Sequence, residues 1–136
     1  DKSGHIDYKA LQENHMHLSP ASRALLLKGM DEVVNGTLGT ARASKLPNIH
    51  MGGKTGTSQV VALEVWKKKA KTTRHYEDHG LFVALAPMED PQIAIAVIVE
   101  HGGQGSRSAA PIAKQMVQNY IGRMQTTEVT DGTQKN

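Results

Sequence analysis

Lys54-Thr55-Gly56-Thr57 brings together residue types that can do chemistry at a spacing with a physical purpose. An ammonium, two hydroxyls and a bare glycine in a row suit a carboxylate ligand. Lys54 supplies positive potential, and Thr55 and Thr57 can donate hydrogen bonds. Gly56 removes a side chain, so an extended ligand can lie close and pair with the backbone. A free strand N–H, such as that of Thr57, can point at a developing oxyanion, and losing one such donor typically costs on the order of 10²–10³ in rate. By itself the tetrapeptide marks no more than an edge strand with a surface lysine.

Gly53-Lys54-Thr55 also has the ending of a phosphate-binding P-loop. That motif needs a glycine five residues before its second glycine, where this chain has Asn48. It also needs a helix to follow, and Ser58-Gln59-Val60-Val61 favours a strand. The nucleotide reading fails on both counts.

The elements that position the tetrapeptide can be read from composition and period. The 136 residues suffice for one domain with a modest core, although hydrophobic content is only 38% and aromatic content 4%. Ser19 is a helix cap and Pro20 suits the first helical position. Leu26, Met30, Val33 and Val34 then recur on one helical face, and Asn35-Gly36 predicts a left-handed stop. The span 36–48 reads as loop, and a strand is predicted from about Met51 to Val61. Leu81 to Ala86 and Ile93 to Val99 are apolar runs joined by Met88-Glu89-Asp90-Pro91-Gln92, whose turn composition predicts an antiparallel hairpin. Neither run alternates polar with apolar, which predicts burial on both faces. Ser108 is a plausible cap for a last helix with Ile112, Met116, Val117, Tyr120 and Ile121 on one stripe. The expected fold class is α/β (α+β): an antiparallel sheet of about three strands with helices on both faces. Residues 1–18 read as a flexible lead-in, 19–124 as the folded part, and 125–136 as a disordered tail.

Other features exclude functions. With no cysteine there is neither a disulfide nor a thiolate site. The net charge of +3 is mild, and Lys67-Lys68-Lys69 lacks interleaved aromatics apart from Trp66 and Tyr76, so no nucleic acid partner is expected. His15 and His17, or His75 and His79 at i, i+4, have metal-ligand spacing without a third ligand; exposed histidines are expected, with no metal and no cofactor. His101 reads as part of a glycine-rich turn. The charged insert from Leu63 to His79 reads as a solvated connection. No apolar run reaches the roughly 18 residues that cross a bilayer, and the chain begins with Asp1, so a piece of a longer protein is expected.

With this context, Lys54-Thr55-Gly56 resembles the third signature of penicillin-binding proteins and serine β-lactamases. The resemblance runs in order over about residues 19 to 124. It includes Leu25-Leu26-Leu27-Lys28-Gly29-Met30 with Val33-Val34-Asn35, then Gly39-Thr40-Ala41, and Gly53 to Gln59. It continues through Phe82 to Pro87 with Pro91 to Val97, and Val99-Glu100-His101-Gly102-Gly103 with Ala110-Pro111-Ile112-Ala113. It is nearest to the class B enzymes of the elongation type, penicillin-binding protein 2. The resemblance implies a serine D,D-transpeptidase that cross-links peptidoglycan stem peptides ending in D-Ala-D-Ala and is the target of β-lactams. It also implies a parent anchored upstream in the bacterial inner membrane and facing the periplasm.

Carried onto these residues, Lys54 and Thr57 are the catalytic positions, and Thr55, Gly56, Thr57 and Ser58 are substrate-binding. The family's Ser-x-x-Lys is absent: Ser3, Ser19, Ser22, Ser44, Ser58, Ser106 and Ser108 all lack a lysine three residues on, and no Ser-x-Asn occurs. The nucleophile is therefore expected in a missing N-terminal part of the same domain, and the piece alone is expected to be inactive and to self-associate. The competing readings are a non-catalytic interaction module and a fragment of a serine β-lactamase.

Overall fold

A computed structural model describes residues 17–60 and 77–131, with side chains up to 124. Most of the expected lead-in (residues 1–16) and most of the charged insert, with His15, His75 and the lysine run, lie outside the described residues. Among the described residues the chain runs α1 (Pro20–Asn35), a short 3-10 helix (Arg42–Ser44), β1 (Gly52–Ser58), β2 (His79–Ala86), β3 (Ile93–Val99) and α2 (Gly105–Asp131).

α1 starts where its residues dictate. Ser19 Oγ accepts the Ser22 N–H at 3.1 Å, and Pro20 sits in the first turn. Its end differs from the left-handed stop predicted at Asn35-Gly36. Gly36 is extended, at φ −69° and ψ 152°, and its N–H returns to the Glu32 carbonyl. Glycine is needed there for space, because a Cβ would collide with Glu32.

The three strands form one antiparallel sheet in the order β1-β2-β3. The register pairs Gly53 with Ala84 and Ala84 with Ile95, and likewise Thr55 with Phe82 and Phe82 with Val97. These residues share one face, and α2 lies over it. Gly80, Phe82, Ala84 and Ala86 are buried in alternation along β2, against Ala109, Ala110, Ala113, Val117 and Ile121 of α2 in a single core cluster.

Three expectations shift here. On α2 Val117 and Ile121 face inward as predicted, but in line with Ala109 and Ala113, while Ile112, Met116 and Tyr120 are 43%, 48% and 40% exposed. Small residues face the sheet because α2 runs close to strand backbone: a Cβ at Gly105, the first helical residue, would strike the carbonyls of Leu81 and Gly56. The helix therefore begins before Ser108, which lies in its first turn and gives its own N–H and hydroxyl to the Gln104 carbonyl. It also continues to Asp131, so the tail predicted from about 125 is helical in its first part.

The second face carries Gly52, Leu85 and Ala94 in one row and Lys54, Val83 and Ala96 in the next. α1 reaches this face at Gly52, where an added Cβ would meet the Met88 side chain and the Met30 backbone. Helices thus stand on both sides of the sheet, but the cover on this side is partial. The burial predicted from the unbroken apolar runs is absent at Val83 and Ile98, which are 44% and 67% exposed.

The two faces should therefore respond differently to truncation. Phe82→Ala, at a fully buried ring, should cost about 3–5 kcal/mol in urea unfolding, and Val83→Ala under about 1 kcal/mol. The open apolar face should drive association, so light scattering should show mass rising with concentration, and Ile98→Lys should suppress the rise.

Candidate active-site strand

Among the described residues β1 is an edge strand, laddered to β2 alone. Lys54-Thr55-Gly56-Thr57 lies inside it, extended through Ser58 where a P-loop would turn into a helix at its lysine. Alternation puts Lys54 and Gly56 on the open face and Thr55 and Thr57 on the α2 face. The ammonium and the two hydroxyls thus stand on opposite sides of the strand and can meet one ligand only across its free edge. Lys54, Thr57 and Ser58 are exposed, and Thr55 and Gly56 are half-buried.

Lys54 Nζ donates to the Thr55 carbonyl at 2.7 Å, folding the ammonium back along the strand. Thr55 Oγ1 lies 3.0 Å from Thr40 Oγ1, in the loop that follows α1. Sequence reasoning missed Thr40 as a partner of the site, although Gly39-Thr40-Ala41 belonged to the resemblance. Gly53 fixes the strand height below Lys54, since a Cβ there would run into the Phe82 ring and the Val83 carbonyl.

The start of β1 carries a cluster that no spacing in the sequence revealed. His50 Nε2 lies 2.7 Å from Asp31 Oδ1 of α1, and its Nδ1 hydrogen-bonds Glu89 of the β2–β3 turn. Asn35 Nδ2 donates to Asp31 Oδ1 at 2.6 Å and to the Met51 carbonyl at 3.0 Å. Met88 N–H donates to the His50 carbonyl at 2.8 Å. The hydrogen bonds to Glu89 and Asp31 hold the His50 pKa above its ordinary value, and the bond to His50 lowers both carboxylates.

His101 occupies the turn after β3 at φ 51°, and its N–H donates to His79 Nδ1 at 2.9 Å. Its ring packs edge-on against His79 with centroids 4.9 Å apart. The turn reading of His101 holds. Among the described residues no cluster of three or more His, Asp or Glu could hold a metal ion.

The sequence and the fold have known counterparts. Residues 3–118 match the family of the penicillin-binding protein transpeptidase domain. The chain is 38% identical over 97 residues to the peptidoglycan D,D-transpeptidase MrdA of Haemophilus influenzae, covering 69% of this chain and 15% of that protein. It is 42% identical over 85 residues to MrdA of Acinetobacter baumannii, covering 61% and 12%. Among solved structures it resembles Pseudomonas aeruginosa PBP2 in complex with WCK 5153, with a TM-score of 0.59 and 35% identity, covering 85% of this chain and 23% of that one. It also resembles the PBP2 of Helicobacter pylori in complex with MreC, with a TM-score of 0.60 and 30% identity over 76% of this chain and 18% of that one. The chain belongs to the penicillin-binding protein transpeptidase family.

Gly53→Ala should therefore destabilise by about 1–3 kcal/mol, because the new methyl meets a buried ring and backbone. Gly29→Ala in α1 has nothing within 4 Å of its added Cβ and should stabilise by about 0.5–1 kcal/mol. Thermal unfolding of the two variants checks the contrast.

Proposed function

We propose that this chain supplies the substrate strand of a peptidoglycan D,D-transpeptidase of the penicillin-binding protein 2 type, active in cell elongation. The observation that carries the reading is the edge of β1 that no described strand covers, with Lys54 on one side and the hydroxyls of Thr55 and Thr57 on the other. A stem peptide ending in D-Ala-D-Ala would lie along that edge as an added strand. Its terminal carboxylate would sit in the potential of Lys54 and accept hydrogen bonds from Thr55 and Thr57, with Ser58 at the margin. Gly56 leaves room for the approach.

The Thr55 carbonyl that accepts from Lys54 Nζ is best placed when it faces away from β2. In an antiparallel ladder the N–H and C=O of one residue point the same way and repeat at every second position, which sets the Thr57 N–H on the same free side. That donor would form part of the oxyanion hole as a serine attacks the D-Ala-D-Ala carbonyl. The serine with its lysine would come from residues outside this chain, since no serine here has a lysine three positions on. The relatives support this, being several times longer: the chain spans 15% of one MrdA and 12% of another. Attachment to the inner membrane, with the domain in the periplasm, would also rest on other parts of the parent. Among the described residues no helix is long and apolar enough to cross a membrane.

The test is acylation by a labelled penicillin. The chain alone should remain unmodified, whereas the full-length parent should be labelled on a serine outside these residues. Lys54→Ala in the parent should slow labelling by on the order of 10²–10³. Labelling of the isolated chain, or indifference of the parent to Lys54→Ala, would overturn the assignment.

A further inference from the structure

The strand that would meet the substrate is held at its beginning by one side chain whose charge state the geometry dictates. His50 stands two residues before Gly52, the first residue of β1. Its two ring nitrogens face two carboxylates, Asp31 from α1 and Glu89 from the β2–β3 turn. Ionised carboxylates only accept hydrogen bonds, and a neutral imidazole has a single N–H. The neutral ring can therefore satisfy one partner while aiming a lone pair at the other. The imidazolium satisfies both. Bonds from Met88 N–H to the His50 carbonyl and from Asn35 to the Met51 carbonyl converge on the same two residues.

We propose that His50 is a positioning residue: as an imidazolium it latches the start of β1 to α1 and to the β2–β3 turn, and loss of one ring proton loosens the strand that carries Lys54 to Thr57. Asp31, Asn35, Lys45 and His50 line an open depression of about 460 Å³, so solvent reaches the ring and protons exchange freely. The charged groups acting on the cluster are Asp31 on α1, Glu89 on the turn and Lys45, whose positive charge also favours ionised Asp31.

The directions of titration agree with the geometry. His50 is raised above its ordinary 6.5, so its contribution is complete below about 6.5 and is lost as pH climbs through the raised value. Asp31 and Glu89 are lowered from 3.8 and 4.5, so their contribution is complete above those values and is lost as pH falls through the lowered ones. The latch is therefore fully closed from about pH 4.5 to 6.5, and it opens only as pH rises through the raised His50 value or falls through the lowered carboxylate values. With His50 42% exposed and Glu89 66% exposed, the effect is local and does not unfold the domain.

The proposal rests on reading β1 as the substrate strand, and its test is made on this chain with no substrate present, so the two can fail separately. Proton NMR titration should place the His50 pKa above 6.5. Amide exchange, expressed as protection relative to the intrinsic rate, should fall about three- to tenfold across 51–56 between pH 6 and pH 9, with little change in β3. Asp31→Asn combined with Glu89→Gln should return His50 to its ordinary pKa and flatten that pH profile. A His50 that titrates at or below 6.5, or β1 protection that does not respond to pH, overturns the latch even if the double variant fails to fold. Penicillin labelling of the parent is a separate readout, bearing only on the substrate strand.

Discussion

A strand that offers one edge to a ligand can be bonded to the protein along the other edge only. Under the proposed reading β1 is in that position: among the described residues its ladder runs to β2 alone. The half of its backbone groups that point outward would then stay available, so its position has to be fixed by something other than a second strand. Most of the conspicuous features around the site answer this one constraint. Asn35, Met88 and His50 fix the residues just before β1, and Thr40 fixes Thr55 within it. These are side-chain and turn contacts at one end and on one face, which leave the free edge clear.

Close packing beneath the sheet supplies the rest. Gly53 lets the Phe82 ring come up against β1, Gly80 leaves room for Ser108, and Gly105 lets α2 start directly against the carbonyls of Leu81 and Gly56. Alanines 109, 110 and 113 keep the next turns of α2 near the strands, before Val117 and Ile121 fill the wider gap beyond. Such packing transmits displacement poorly into slack and well into strain, because interiors have few voids to absorb it. A methyl group added at Gly53 or Gly105 is thus a perturbation of the site, although neither residue could touch a ligand through a side chain.

How much of this was legible in the sequence depended on how local the cause was. The Ser19 cap, the α1 span and the hairpin turn are set by residues within a few positions of each other, and they stand where the pattern placed them. So does Lys54-Thr55-Gly56-Thr57 on a strand. The inward face of α2 was legible in part: Val117 and Ile121 are buried as the stripe predicts, whereas Ile112, Met116 and Tyr120 are not. Residues 109, 113, 117 and 121 and residues 112, 116 and 120 are neighbouring stripes of the same period, and only the nearness of the strand backbone selects the smaller set. The Asp31–His50–Glu89 cluster was invisible for a different reason. Its members lie 19 and 39 residues apart in sequence, and an isolated histidine before a glycine pair carries no signal of either partner.

The outer face of the sheet shows sequence and structure disagreeing in a useful way. β2 and β3 are apolar at nearly every position, the pattern of strands covered on both sides, yet alternate residues there meet solvent as far as Val83 and Ile98. Local propensity does not require this, since a polar residue at Ile98 would extend the strand about as well. What it does fit is a sheet whose second side is an internal surface of a larger domain, and the relatives, of which the chain spans only 12% to 15%, have the length to provide one. Lys54 and Gly56 share this outer face with Val83 and Leu81. The side of the strand that presents the ammonium is therefore also the side on which further chain would pack. A site closed in this way gains from low dielectric, because a single ammonium acts on a carboxylate far more strongly once water is excluded. In the open sheet Lys54 donates to the Thr55 carbonyl, and under the proposed reading the same residue set would become a strong anion site when the apolar face beside it is covered.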